Sequence, residues 1–138
     1  MQRTLAIIKP DAFANRDAGK IISRIETEGF RIVAMRLVNL TQKDAEGFYA
    51  VHRDKPFFGD LTAFMSSGPA VVMCLEADDA ISKWRTEMGA TNPENADEGT
   101  LRKMFATNIE RNAVHGSDAP ETAALEIAYY FEGLALAC

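Results

Sequence analysis

Residues 112–118 read NAVHGSD and bring an imidazole, a glycine, a hydroxyl and a carboxylate into four consecutive positions. His115 ends a short apolar run, so its ring can project at the edge of a sheet. A neutral imidazole is a competent nucleophile near neutral pH when one nitrogen is free and the other is oriented. Gly116 removes bulk beside it and lets a ligand or a backbone come close. Asp118 is a good helix N-cap, and the amides after it would favour an anion. The plainer reading of these seven residues is a half-buried histidine ahead of a helix.

Other chemistry-bearing stretches fail on their spacing. Gly19-Lys20 resembles the end of a phosphate-binding loop, but Ala14 and Ile21 stand where a glycine and a hydroxyl residue are needed. His52-Arg53-Asp54 imitates a protein-kinase catalytic triplet, yet Gly59 occupies the asparagine position and no Gly-rich loop exists, so solvated loop charge is the expectation. No CxxC, HExxH or Cys/His cluster suggests a metal cage. Of two cysteines, Cys74 lies within AVVMCL and reads as core, and a pairing with Cys138 is not expected.

Fifteen basic and twenty acidic residues give a net charge of −5, which argues against nucleic-acid binding by bulk charge. Phosphate would have to be held by a few placed cations. With 138 residues, 47% apolar and 25% charged, the chain reads as one folded domain, 1–138. No apolar stretch reaches the roughly 20 residues of a membrane span. Lys9 and Pro10 interrupt the N-terminal stretch too early for a signal peptide, so a cytoplasmic address is expected.

The elements that would position these residues follow from apolar spacing. RTLAIIK (3–9), FRIVAMRLVNL (30–40) and AVVMCLE (70–76) read as strands, with a brief fourth strand running into His115. Ile21, Ile22 and Ile25 place a helix over 19–28, with Gly29 just beyond its end. Thr41 and Asp44 form a weak capping box for a helix through Tyr49. Further helical segments are expected at 61–65, from Asp78-Asp79 to Met88, and over 101–106. Residues 89–100 form a long polar loop of the kind that carries function. A final helix starts at Asp118-Ala-Pro-Glu, with Ala124, Ile127, Ala128 and Phe131 on its apolar side. This order predicts an α/β (α+β) fold: a ferredoxin-like βαββαβ sandwich with a four-stranded, mainly antiparallel sheet and covering helices.

NAVHGSD also resembles the N-x-x-H-G-S-D signature of the nucleoside diphosphate kinases. The resemblance runs along nearly the whole chain, through RTLAIIKPDA, EGF, RIVAM, KPFF, MSSGPAVVM, MGATNP, GTLR and EIAYYF, in the family's order and spacing. It implies transfer of the γ-phosphate of a nucleoside triphosphate to a nucleoside diphosphate through a phosphohistidine. His115 matches the nucleophile, phosphorylated on its pros nitrogen Nδ1. Glu126 and Ser117 match the groups that orient it, and Tyr49 lines it. Lys9, Arg85, Thr91, Arg102 and Asn112 match the nucleotide ligands, Lys9 and Asn112 also reaching the ribose, and Phe57 matches the platform for the base. Mg²⁺ would come with the nucleotide, bound by phosphates and water rather than by protein side chains. The implied partners are nucleoside tri- and diphosphates and further copies of the chain. The short tail after Phe131 favours a tetramer over a hexamer.

The chain departs from the family's pattern at Arg16-Asp17-Ala18-Gly19, which lacks an extra glycine, at Lys103-Met104 and at Glu76-Ala77. A rival from another class is a ferredoxin-like regulatory module that binds a nucleotide without turning it over. That rival shares the sheet but has no use for a free imidazole.

Overall fold

A computed structural model describes residues 1–131. The tail after Phe131, Cys138 included, and the expectations that rest on it lie outside the described residues. Strand β1 (Gln2–Ile8) is one of the two inner strands of a four-stranded sheet with the order β2-β3-β1-β4. It pairs antiparallel with β3 (Ala70–Ala77) and β4 (Val114–Gly116), and β2 (Arg31–Val38) pairs antiparallel with β3. This is the ferredoxin-like sandwich expected from the sequence.

The continuous apolar run of β1 follows from burial on both faces. Ala6 and Ile8 face one core, built with α1 (Pro10–Ala14), α2 (Ala18–Thr27), α5 (Ala80–Met88) and α6 (Leu101–Phe105). Leu5 and Ile7 face the other, closed by α3 (Gln42–Phe48), α4 (Phe58–Met65) and α7 (Pro120–Tyr130). Cys74 sits in this second core.

Local signals explain most element ends. Gly29, with φ +88°, ends α2; its N–H donates to Glu26 and that of Phe30 to Ile25, a Schellman closure. At the start of α3 the Thr41 and Asp44 side chains each accept from the other residue's backbone N–H, completing the capping box. Arg16, at φ +64°, takes the left-handed position in the turn that lacks the extra glycine. α1 was not expected, because a single turn is too short to display a period. α4 starts three residues before the apolar run at 61–65, and residues 93–95 of the polar loop form a 3₁₀ turn capped by Asn92.

The last helix requires two corrections. Its N-cap is Ala119, not Asp118; Thr122 Oγ1 reaches back to accept from the Ala119 N–H at 3.0 Å, while Asp118 turns to Arg85. Its buried side is Ala123, Ile127 and Tyr130; Ile127 and, just past its end, Phe131 are buried as expected, whereas Ala124 and Ala128 are exposed. The face is rotated by about one position from the expectation because Leu125 and Tyr129 make the helix apolar on its outer side too. Among the described residues no helix is long and apolar enough to cross a membrane.

Candidate active site

β4 is only three residues long, and its middle residue is His115, paired with Ile7 of the buried inner strand β1. The ring is half-buried. Its Nε2 lies 2.9 Å from Glu126 Oε1, and the Ser117 hydroxyl donates to the same oxygen at 2.9 Å. Ser117 is itself fixed, since its Oγ accepts the Leu5 N–H at 3.2 Å. A carboxylate only accepts, so this contact assigns the ring proton to Nε2 and the lone pair to Nδ1. Among the described residues Nδ1 has no hydrogen-bond partner.

Gly116 has a different reason from the one its position suggested. A Cβ there would lie 2.5 Å from Trp84 Cδ1 and 2.7 Å from Met88 Cε, so what comes close is a core side chain and not a ligand. The Trp84 indole N–H donates to the His115 carbonyl at 3.0 Å, and α5 thereby holds the strand that carries the ring.

Three cations are arranged in succession beside β4. Lys9, 7% exposed, donates from Nζ to Asn112 Oδ1 at 2.8 Å, and Asn112 Nδ2 donates to the Thr91 carbonyl at 3.3 Å. Burial foremost, then Arg102, lowers the Lys9 pKa to about 8, while Asp11 opposes them. Arg102 is also buried; its guanidinium donates to the carbonyls of Asn112, Gly89 and Val114, leaving one N–H free on each terminal nitrogen. Burial and the nearby Arg85 bring its pKa down to about 10, so it stays charged at neutral pH. Arg85 is exposed and pairs with Asp118 at 2.8 Å.

Arg85, Thr91 and Arg102 line one depression of about 390 Å³, together with Gly89 and Ala90. Gly89 is obligatory there: its φ is +85°, and a Cβ would meet Thr100 Oγ1 at 2.5 Å. A larger concavity of about 590 Å³, lined by Asp11, Phe13, Arg16, Phe64 and Arg111 among others, contains none of the candidate nucleotide ligands.

Aromatic rings connect His115 to Phe57. Tyr49 is buried and meets the His115 ring edge-on at 6.4 Å; its hydroxyl has no partner among the described residues, and burial pushes its pKa far up. His52 stacks on Tyr49 at 6.4 Å and tilts against Phe57 at 5.6 Å. This corrects the solvated reading of His52, although Arg53 and Asp54 are exposed as expected. Phe57 is 48% exposed and Phe58 packs into the second core, so the two neighbours divide between surface and interior.

The model of the family described as "Nucleoside diphosphate kinase" matches residues 2–136. The chain belongs to the nucleoside diphosphate kinase family. It is 65% identical over 136 residues to the nucleoside diphosphate kinase of Syntrophotalea carbinolica and 59% to that of Desulfotalea psychrophila, each match covering 99% of both chains. Among solved structures, the nucleoside diphosphate kinase of Aquifex aeolicus superposes with a TM-score of 0.96 at 44% identity, covering 98% of both chains. That of Halobacterium salinarum, solved in complex with CDP, gives 0.95 at 35%, covering 99% of this chain and 91% of the other.

The candidate site residues other than Phe57 fall in two groups. His115, Ser117, Glu126 and Tyr49 meet around the imidazole; Lys9, Asn112, Thr91, Arg102 and Arg85 follow one another along the cations. Phe57 joins the first group only through His52. Sequence reasoning missed Trp84, His52, Phe48 (whose ring lies 5.6 Å from that of His115) and Asp11. The single tryptophan next to Arg85, on the buried side of its helix, was the one available signal for Trp84.

Proposed function

We propose that this chain transfers the γ-phosphate of a nucleoside triphosphate to a nucleoside diphosphate by a ping-pong mechanism through His115. The observation that carries this reading is the imidazole whose Nε2 meets Glu126 Oε1, the oxygen that also accepts from Ser117, while Nδ1 has no hydrogen-bond partner among the described residues. The triphosphate stacks its base on Phe57, places its ribose at Lys9 and Asn112, and lays its phosphates along Arg85, Thr91 and Arg102. The Nδ1 lone pair forms a bond to the γ-phosphorus. The bond to the β,γ-bridging oxygen breaks, and its electron pair stays on the departing diphosphate. The Nε2 proton remains on the ring against Glu126, so no net proton moves. A second diphosphate attacks the phosphohistidine in the reverse sense and restores the free imidazole. Alignment and charge neutralisation carry most of such a transfer, which is what the succession of cations supplies.

The triphosphate enters as its Mg²⁺ complex. Its phosphates and water would hold the cation, as is usual for Mg²⁺, which keeps several waters and takes few protein ligands. The same reading includes self-association. β2 is an outer strand of eight residues with Met35 and Leu37 exposed on one face, an edge open to a second copy of the chain.

Brief incubation with γ-labelled ATP followed by denaturation tests the reading. Label that survives alkali and is lost in acid is expected on wild type. His115→Ala should take no label yet retain nucleotide binding, because the ring supplies the covalent step and not the grip. Unlabelled wild type, or label on the variant, would overturn the assignment.

A further inference from the structure

We propose that Asp11 is a positioning residue of this site: its buried carboxylate clamps the left-handed turn at Ala113, which presents Asn112 and His115, and serves as counter-charge to Lys9. The proposal rests on the reading of Lys9 as a nucleotide ligand.

Ala113 has φ +71°, a conformation that costs an L-residue of order 1–3 kcal/mol when it is not glycine. The Val114 N–H donates to the Asn112 carbonyl at 2.8 Å, so Ala113 is the middle of a positive-φ γ-turn, a rare and strained form. Such a turn persists only when its surroundings hold it. Here both ends of the residue are gripped by the segment after β1. Asp11 Oδ2 accepts the Ala113 N–H at 3.1 Å, and the Lys9 N–H donates to the Ala113 carbonyl at 2.8 Å. One residue before the turn is Asn112, bonded to Lys9; two residues after it is His115. The clamp therefore sets the relative placement of ribose ligand and nucleophile.

The other oxygen of Asp11 is buried, with no hydrogen bond among the described residues. A carboxylate oxygen left so is costly unless a nearby charge offsets it. Lys9 is that charge. The groups acting on Lys9 are Arg102 from α6, the neutral Asn112 amide, and Asp11 from α1; of the two charges, only Asp11 favours the cation.

Two variants separate the roles. Asp11→Asn keeps an oxygen for the Ala113 N–H and removes the charge; Asp11→Ala removes both. Following the side-chain ammonium of Lys9 by NMR, identified from its loss in Lys9→Gln, the midpoint should fall by about one unit in Asp11→Asn. Label uptake by this variant should match wild type near pH 6 and decline at lower pH than wild type on the alkaline side. Asp11→Ala should be slower by roughly tenfold or more even near pH 6, because the turn is released. Amide exchange at Ala113 should be slow in wild type and in Asp11→Asn. An unmoved Lys9 midpoint overturns the counter-charge. Equal rates for the two variants near pH 6, or fast exchange at Ala113 in wild type, overturn the clamp, and the exchange measurement holds even if Asp11→Ala does not fold. The titration and the exchange need no turnover. They decide the role of Asp11 separately from the phosphotransfer reading, which the labelling of wild type decides.

Discussion

Burial brings Lys9 from the ordinary 10.5 to about 8, and this has opposite consequences for folding and for binding. Between those values the unfolded chain binds more protons than the folded one, so stability rises with pH across the window. The gain is absent below about pH 8, complete above 10.5, and amounts to about 3 kcal/mol. Nucleotide affinity should move the other way, falling as Lys9 loses its charge. Urea unfolding and nucleotide titration at about pH 7 and pH 9.5 should thus diverge, and Lys9→Gln should flatten both trends; parallel trends would show that Lys9 is not buried as a cation. At Phe57 the expected loss for alanine is about 1–3 kcal/mol of binding, felt by ADP and CDP alike and somewhat more by ADP. Equal kcat/KM for Phe57→Ala and wild type across four diphosphates would remove the platform. His115 and Ser117 were legible within the NAVHGSD stretch itself, whereas Glu126 and Tyr49 were reached only through the family resemblance. Asp11 and His52 were not legible, because each acts through a neighbour fixed only by the fold: Ala113 lies 102 residues from Asp11.

At the scale of elements, β4 shows how a three-residue strand can be held rigidly. Its ladder to β1 is short, and Trp84, Met88 and Arg102 supply the rest of its support from α5 and α6. Gly116→Ala should therefore act through packing. A Cβ at 2.5 Å from the Trp84 ring forces indole and strand apart, with a cost of about 1–3 kcal/mol and loss of the His115–Glu126 alignment. Thermal melting and label uptake should fall together, and a variant as stable and active as wild type would mean that the slot is not filled as described. β1, β3 and α2 were legible because apolar runs and an isoleucine stripe leave little choice of face. The phase of α7 was not, since alanines, tyrosines and Leu125 surround it with apolar positions. What fixes its rotation is tertiary: Glu126 faces His115 while Ile127 and Tyr130 enter the core. Gly116 was read as room for a ligand because a sequence cannot show that an indole, 32 residues earlier, already occupies it.

Over the whole molecule, a net charge of −5 and a phosphate site coexist because the cations are local and largely committed. Arg102 spends three donors on carbonyls, and Lys9 is anchored to Asn112, so both are held in place before any ligand arrives. The same economy does not extend to β2. Met35 pairs with Met73 and Leu37 with Val71, and both partners lie in the first core, so the two exposed side chains continue that core to the sheet's open edge. They are 52% and 63% exposed, on a strand whose outer backbone groups face no other strand. Pairing with a second β2 would satisfy those groups and bury the apolar pair on each chain, each side chain contributing up to about 1.5–3 kcal/mol. A two-fold axis across the edge would make the contact self-complementary. Replacing Met35 and Leu37 together by lysine should then lower the association constant by roughly a hundredfold or more, while the monomer keeps its fold, because both side chains are largely exposed and the β2–β3 ladder stays in place. Sedimentation across a concentration series, with circular dichroism as the control, measures this. A wild type that stays monomeric, or a double variant that assembles as wild type does, would show that this edge is closed by something other than a second copy of the chain.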